Sequence, residues 1–314
     1  SYKKIKNIQV GECVQSLNKY NIFEPKKVLN IFDNGIRKTY KIESLHGYTL
    51  IATSDHKVLT QSGWKKVSEL DLNDFIMTPM KINALTNNLR SNQRLSASDM
   101  FLLGMMIGDG SMGDIVNIHF TNSDIELIEK FKECIYLRTR SNIPCDFSLS
   151  KQKGKTVDYI YTISVNTKSY KETTKKFFEK HGLICKSADK KVPPSIMLYP
   201  VGEKLTNFLA GLFNTDGGFN ARRRCIEYYS ISKNLIYQIK SLLLKYGIYS
   251  YIDKSYVKNY NYYCYKLYIS QPESLERFKD TIFCYMIGQK RKDLQKNVFD
   301  NMIEKYNYLL PDTC

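Results

Sequence analysis

One apolar stretch occurs twice in this chain, and any fold must accommodate the pair. The first copy reads Phe101-Leu102-Leu103-Gly104-Met105-Met106-Ile107-Gly108-Asp109-Gly110. The second reads Phe208-Leu209-Ala210-Gly211-Leu212-Phe213-Asn214-Thr215-Asp216-Gly217. Each run is too short to cross a membrane. Neither alternates, so each reads as a buried helix or a buried strand. The terminal glycine favours a helix, because glycine after the last turn readily takes the left-handed conformation that closes one.

The aspartate then stands at the negative end of a helix dipole, where a carboxylate is disfavoured by roughly 0.3–1 kcal/mol. A single copy would read as an Asp-Gly turn. Two copies at the same offset indicate that both carboxylates answer to a cation. Gly104 and Gly211, with Ala210, would let the two helix backbones approach closely and bring Asp109 and Asp216 side by side. Two facing carboxylates are what hard divalent ions such as Mg2+ select.

On these residues the chain resembles the single-chain homing endonucleases with paired LAGLIDADG motifs. The second run is the closer match. The first departs at Leu103, where the family often has Ala, and ends in Ile-Gly-Asp-Gly. The resemblance implies an α+β fold: a duplicated αββαββα domain in which the motif helices pair at a pseudo-twofold axis. Two curved antiparallel sheets would then form a saddle over double-stranded DNA. It also implies that Asp109 and Asp216 are catalytic and bind the metal, Mg2+ or Mn2+. Each would lie nearer one scissile phosphate, so that both strands are cut. A pseudo-dimer in one chain implies a monomer on a long asymmetric target.

Charge agrees with a polyanionic partner. The chain has 314 residues and a formal net charge of +16, and a chain this basic commonly meets nucleic acid. Its 24 tyrosines often stand beside Lys or Arg, as between Tyr246 and Tyr268, a pattern that serves both phosphate contact and ordinary strands. The eight cysteines form no C-x-x-C pair, so reduced thiols and a cytoplasmic or nuclear location are expected. No signal peptide or membrane-spanning run is read.

Residues 1–80 read as short strands of a compact sandwich or barrel-like unit. Lys4 to Val10 alternates. Lys26 to Phe32 and Arg37 to Leu45 flank Asn34-Gly35, a strong hairpin signal. A turn at Gly47 precedes Tyr48 to Thr53, and a Gly63-Trp64 turn precedes Lys65 to Leu70. The run from Ala52 to Thr60, followed by Gly63 to Leu70, resembles the N-terminal half of the Hint domain, the protein-splicing fold of inteins. The resemblance implies that Thr53 and His56 correspond to a T-x-x-H pair that polarises a scissile peptide bond. It also implies an upstream Cys or Ser nucleophile and a closing His-Asn pair. Leu309 to Cys314 contains no His-Asn. The expectation is an incomplete Hint unit, with Thr53 and His56 a splicing-motif remnant.

Residues 81–96 read as a linker, and Ser96 to Asp99 as a helix start. From there the chain repeats. Repeat 1 spans 97–182: a strand from Ile115 to Phe120, a helix from Ile125 to about Tyr136, strands near Pro144–Leu149 and Asp158–Val165, and a helix to His181. After an inter-repeat linker at 183–203 the order recurs over 204–297. Its elements are Cys225–Ser230, Asn234–Tyr246, Ile248–Tyr256, Tyr262–Ser270 and Pro272–Ile282, followed by a Gln289-Lys290-Arg291-Lys292 cluster. Residues 298–314 read as a tail. Basic residues on the expected hairpins, namely Arg222, Arg223, Arg224, Lys254, Lys258, Lys266, Lys151, Lys153 and Lys155, are the candidates for phosphate and major-groove contact.

In intein-borne members of the family a lysine precedes a short Ile-Pro-like segment before the second motif. By that resemblance Lys190, ahead of Lys191-Val192-Pro193, is the basic residue of the catalytic set. Alignment of the repeats puts its symmetric position at about Tyr262, which leaves the second basic residue unassigned. The rival readings are a cleavage-deficient relative acting as maturase or regulator, and a fragment of a self-splicing intein.

Overall fold

The computed structural model describes residues 5–18, 20, 22–44, 48–78, 95–111, 118–139, 147–153, 159–165, 168–258, 261–300 and 302. The two apolar runs are helices packed against each other. Helix α1, Ala97–Gly108, opens on a capping box: Ser96 Oγ accepts from the Asp99 backbone N–H at 3.0 Å, and the Asp99 carboxylate accepts from the Ser96 N–H at 3.0 Å. This reciprocal pair satisfies two donors that a helix start leaves orphaned. The helix is then buried from Asp99 to Ile107.

The two halves share one order of elements. Repeat 1 continues through β7 (Gly110–Ser111), β8 (His119–Asn122), α2 (Ile125–Thr139), β9 (Phe147–Lys153), β10 (Tyr159–Val165) and α3 (Lys168–Lys180). A short helix α4 (Pro194–Met197) leads to the second motif helix, α5 (Glu203–Thr215). Then come β11 (Gly217–Asn220), β12 (Cys225–Ser230), α6 (Lys233–Lys245), β13 (Tyr251–Val257), β14 (Tyr262–Ile269), α7 (Pro272–Asp280) and α8 (Gly288–Leu294). Each half is therefore αββαββα. The four-stranded antiparallel sheets have matching orders, β7-β8-β10-β9 and β11-β12-β14-β13.

Among the described residues, helices cover one face of each sheet. The helix face of the first sheet carries Phe120, Ile163 and Val165, all buried, and packs against Leu127, Ile128 and Phe131 of α2. Phe120 and Phe131 stack with centroids 5.0 Å apart. In the second sheet Ile226, Tyr228, Leu267 and Ile269 play the same part. The Phe213 ring meets Tyr228 and Phe278 edge-on at 5.4 and 4.9 Å. An antiparallel sheet covered in this way leaves its other face to solvent or ligand.

The boundaries differ in detail from the sequence expectation. Strands β8 and β9 begin at His119 and Phe147; the expected segments 115–117 and 144–146, like linker residues 81–94, lie outside the described residues. Residues 183–203 are packed in, with Val192, Ile196, Met197 and Tyr199 buried. The core also runs on past residue 297: Val298 and Phe299 are buried, and the Phe299 ring meets Phe283 edge-on at 4.7 Å.

The N-terminal part is all-β but not the closed unit expected. Three separate two-stranded antiparallel ladders form: β1 (Cys13–Leu17) with β2 (Phe23–Lys27), β3 (Thr39–Glu43) with β4 (Thr49–Thr53), and β5 (Lys57–Thr60) with β6 (Gly63–Lys66). Of the alternating Lys4–Val10 segment, the described residues 5–10 are not a strand; Ile5–Asn7 form a 3-10 turn, and Ile5 and Val10 are exposed. Alternation makes a strand only where a partner strand takes up its backbone groups, and among the described residues none pairs there. Asn34-Gly35 does turn, with Gly35 left-handed and its N–H held by Asp33 Oδ1 at 2.9 Å. Its flanks do not pair; the hairpin closes instead between Ser44 and Tyr48, whose backbones bond at 2.9 Å. A small core of Ala52, Val58 and Val67 holds the second and third ladders together. Tyr48 ties this part to repeat 2, with Lys240 Nζ 3.4 Å from its ring centroid and the Tyr249 ring tilted against it at 5.7 Å.

Candidate active site

Close backbone contact sets the geometry of the paired helix ends. A methyl group on Gly104 would run into the Phe208 carbonyl and sit 2.9 Å from the Leu212 nitrogen; one on Gly211 would meet the Phe101 carbonyl and lie 3.0 Å from the Met105 nitrogen. Ala210 is fully buried beside them. Both helices end alike. Asp109 N–H donates to Met105 O at 3.0 Å, and Asp216 N–H to Leu212 O at 3.2 Å. Each aspartate then hands its own carbonyl to the adjoining sheet, to Thr121 N–H and Tyr229 N–H, both at 3.3 Å.

The following glycines do not adopt the left-handed conformation expected of them. Gly110 and Gly217 start strands that fold back over the last helical turn, where a side chain would collide with the backbones of Met106 and Phe213. Space, rather than handedness, selects glycine here.

Asp216 stands near enough to Asp109 to feel its charge. Burial pushes the Asp216 carboxyl up to about 6, with the Asp109 charge as the second cause, against the pull of Lys190, Lys290 and Tyr228. Burial also raises Asp109, opposed by Lys290, by the Asn122 amide and by Lys190. Asn122 Nδ2 donates to Asp109 Oδ2 at 2.6 Å. Asp216 has a looser partner, the Tyr228 hydroxyl at 3.4 Å, and burial beside these carboxylates drives that phenol well above its usual value.

Two lysines complete the site symmetrically. Lys190 Nζ donates to Gly108 O at 2.6 Å, the carbonyl just before Asp109. Lys290 Nζ donates to Thr215 O, the carbonyl just before Asp216. Burial lowers the Lys290 pKa, and Asp109 and Asp216 counter it. Lys290 is the residue that sequence reasoning missed. Tyr262, the position assigned to it, opens β14 in the hairpin. The usable signal was the interval from each repeat's last helix: Lys190 and Lys290 are each the tenth residue past the ends of α3 and α7, at Lys180 and Asp280.

These residues fit a hard divalent cation. Among the described residues no cluster of three His, Cys, Asp or Glu forms. A Mg2+ site needs no such cage, because the ion keeps several waters and is often held by one or two carboxylates plus substrate phosphates. Two buried carboxylates, raised by burial and in Asp216 also by the neighbouring Asp109 charge, are a donor set that a cation would relieve.

The basic residues expected on the DNA side do not share one face. Arg222, Arg223 and Arg224 are exposed in the turn between β11 and β12, and Lys258 is exposed just past β13. Lys266 lies on the open face of its sheet, paired across the strands with Tyr229 and Asp253. There its Nζ meets the buried Glu227 carboxylate at 2.5 Å. Lys254 is opposite Tyr265 in the register, on the same face as the buried Ile252 and Leu267. Lys151 and Lys153 likewise follow Phe147 and Leu149 on the helix face of the first sheet. Lys155 lies outside the described residues. The open face of the first sheet is instead neutral and polar. It carries His119, whose Nδ1 is 2.6 Å from Ser164 Oγ, and Thr121, whose hydroxyl is 2.9 Å from that of Thr162.

In the N-terminal part Thr53 ends β4 and His56 is exposed in the next turn, with its N–H on Thr53 O at 3.2 Å. They stand together, but no functional group of the described site reaches them. No helix among the described residues is long and apolar enough to cross a membrane.

Residues 203–282 match the family model of the LAGLIDADG-like domain. The replicative DNA helicase DnaB of Synechocystis sp. is 30% identical over 281 residues, which is 88% of this chain and 31% of that protein. The replication factor C small subunit of Methanocaldococcus jannaschii is 31% identical over 299 residues, 87% of this chain and 15% of that protein. The chain thus spans less than a third of either relative. Among solved structures, the homing endonuclease I-WcaI bound to its DNA recognition sequence superposes with a TM-score of 0.43 at 16% identity, covering 67% of this chain and 95% of that one.

Proposed function

We propose that this chain, whose residues 203–282 are a LAGLIDADG-like domain, is a site-specific DNA endonuclease that makes a divalent-metal-dependent double-strand cut. The observation that carries the reading is the symmetric pairing of Asp109 and Asp216, each with a lysine bonded to the carbonyl before it. A binding module needs neither two carboxylates forced together nor the two lysines. Phosphodiester hydrolysis needs both, to place cations and positive charge where the phosphoryl and leaving oxygens gain negative charge.

Asp109 and Asp216 would hold Mg2+ or Mn2+, which supplies charge neutralisation and activates water when bound. Asn122 fixes the Asp109 carboxylate so that it need not reorganise. Lys190 and Lys290, anchored at the helix ends, would turn positive charge toward the scissile phosphates. Each aspartate would serve one strand. The open sheet faces and the Arg222–Arg224 turn would follow the duplex, so a single chain reads an asymmetric site as a monomer. The two open faces differ in chemistry, hydroxyls on one and Tyr229, Lys266 and Tyr268 on the other, which supports two unlike half-sites.

We also propose an intein origin. The Thr53-x-x-His56 pair and the all-β N-terminal part support a Hint-derived unit. The match to a minority of a replicative DNA helicase and of a replication factor C small subunit supports an element separable from its host.

The test is cleavage of a randomised duplex library in Mg2+ by the wild type, Asp109→Asn and Asp216→Asn. Cutting at one enriched site by the wild type alone is the expected result. Enriched binding without cutting by any of the three would replace the nuclease with a DNA-binding regulator or maturase.

A further inference from the structure

We propose that Asp124 is a positioning residue for Lys290, holding the turn that carries the lysine from across the boundary between the repeats. The inference rests on the endonuclease reading and adds a residue to that site.

The geometry is specific. Asp124 precedes α2 in repeat 1, whereas Lys290 follows the last helix of repeat 2. The two Asp124 oxygens have separate partners. Oδ1 accepts from Glu126 N–H at 3.0 Å, the ordinary work of a helix cap. Oδ2 accepts from Gln289 N–H at 2.6 Å, one residue before Lys290. Gly288 makes room for this contact: its φ is +69°, and any side chain on it would collide with the Asp124 carboxylate. Lys292 adds an outer tie, an exposed ion pair with Glu126 at 2.7 Å.

Asp124 is itself held by the site. Its N–H donates to Asn122 Oδ1 at 2.8 Å, while the amide nitrogen of the same Asn122 holds Asp109. An unbroken polar chain therefore runs from the Asp109 carboxylate through Asn122 and Asp124 to the Lys290 turn, and from Lys290 to the carbonyl before Asp216. A cap alone does not require the second oxygen, the glycine or the link to Asp109.

The other half repeats the plan with weaker parts. Ser232 caps α6, its N–H donates to Ser230 Oγ at 3.1 Å, and its hydroxyl donates to Lys190 O at 2.6 Å. Ser230 takes the place of Asn122 and has no hydrogen bond to Asp216 among the described residues. Each lysine is thus bonded to the motif helix of its own repeat and steadied by the helix cap of the other. The charged, continuous version belongs to Lys290.

The experiment is strand-resolved, single-turnover cleavage of the duplex selected above, labelled on each strand in turn. It compares wild type, Asp124→Ala, Asp124→Asn, Lys290→Met and the double variant Asp124→Ala/Lys290→Met. Asp124→Ala should slow one strand about 10–100-fold, the usual cost of losing a partner that orients a metal-site group, with DNA affinity unchanged and nicked product accumulating. Asp124→Asn, whose amide oxygen can still accept from Gln289, should recover most of the rate. In the Lys290→Met background Asp124→Ala should cost nothing further. Equal slowing of both strands, or additive losses in the double variant, would reduce Asp124 to a helix cap. Wild type that cuts no duplex overturns the endonuclease reading and this inference with it, whereas a wild type that cuts while Asp124→Ala cuts equally well overturns only the latter.

Discussion

Lys290 Nζ donates to the backbone carbonyl of Thr215, seventy-five residues earlier in the chain. Lys190 makes the matching bond to Gly108. A helix C-terminus concentrates negative partial charge on its unpaired carbonyls. A lysine placed there satisfies one carbonyl and tempers the repulsion between the two aspartates beside it. The ammonium groups therefore have a structural duty in the free protein and would be free to turn toward phosphate when DNA arrives.

Removing either ammonium should slow cutting without loosening DNA. Lys190→Met and Lys290→Met are each expected to lower the single-turnover rate by about 10²–10³, the range seen when one preorganised donor is deleted. Rate and binding isotherms on the same duplex provide the check.

The site should also cost the free protein stability at neutral pH. The Asp216 carboxyl stands at about 6 against an ordinary 3.8. Below pH 3.8 both folded and unfolded forms carry the proton and no difference exists. Between 3.8 and about 6 the folded form binds more protons, so stability falls as pH rises through that window and stays reduced above it. Two units correspond to at most about 3 kcal/mol. In EDTA, Asp216→Asn should melt higher than the wild type at pH 8, with the gap closing toward pH 4. Equal melting temperatures at pH 8 would show that the buried Asp216 charge costs the fold nothing.

Gly104→Ala and Gly211→Ala force a methyl group between two backbones that cannot move apart without opening the core. A loss of about 1–3 kcal/mol or more is expected for each, read as a lower denaturant midpoint at unchanged slope.

The strand register separates the basic residues by duty. Arg223→Ala should reduce the slope of log K against log salt by about one, as loss of a phosphate contact does. Lys254→Ala should leave it nearly unchanged, because Lys254 stands on the helix face with its Nζ 3.6 Å from the Tyr263 ring centroid. Fluorescence anisotropy titrations over a salt series measure both.

Much of the duplicated domain was legible because its signals are local. The Ser96–Asp99 capping box, the helical spacing of Leu127, Ile128, Phe131 and Ile135, and the strand Cys225–Ser230 each depend on neighbours a few residues away. The N-terminal part was read less well for the opposite reason. Lys4 to Val10 alternates like a strand, yet pairing is a long-range event and no strand among the described residues pairs with it. Among the basic residues, Lys254 and Lys266 look alike in sequence, and only the cross-strand partners Tyr265 and Tyr229 show that they point to opposite faces.

The amino-acid sequence alone determined that two apolar helices would pair through glycines and present Asp109 and Asp216 together, since a repeated pattern carries its own spacing. It also determined the αββαββα order, which periodicity and caps encode locally. Tertiary structure decided which lysine stands at the second carboxylate, which face each hairpin residue occupies, and that Asp124 of one repeat holds the turn of the other. Those outcomes depend on contacts between segments tens to more than a hundred residues apart. Only packing of the whole chain brings such segments within hydrogen-bonding distance, and no pattern in either segment alone encodes the meeting.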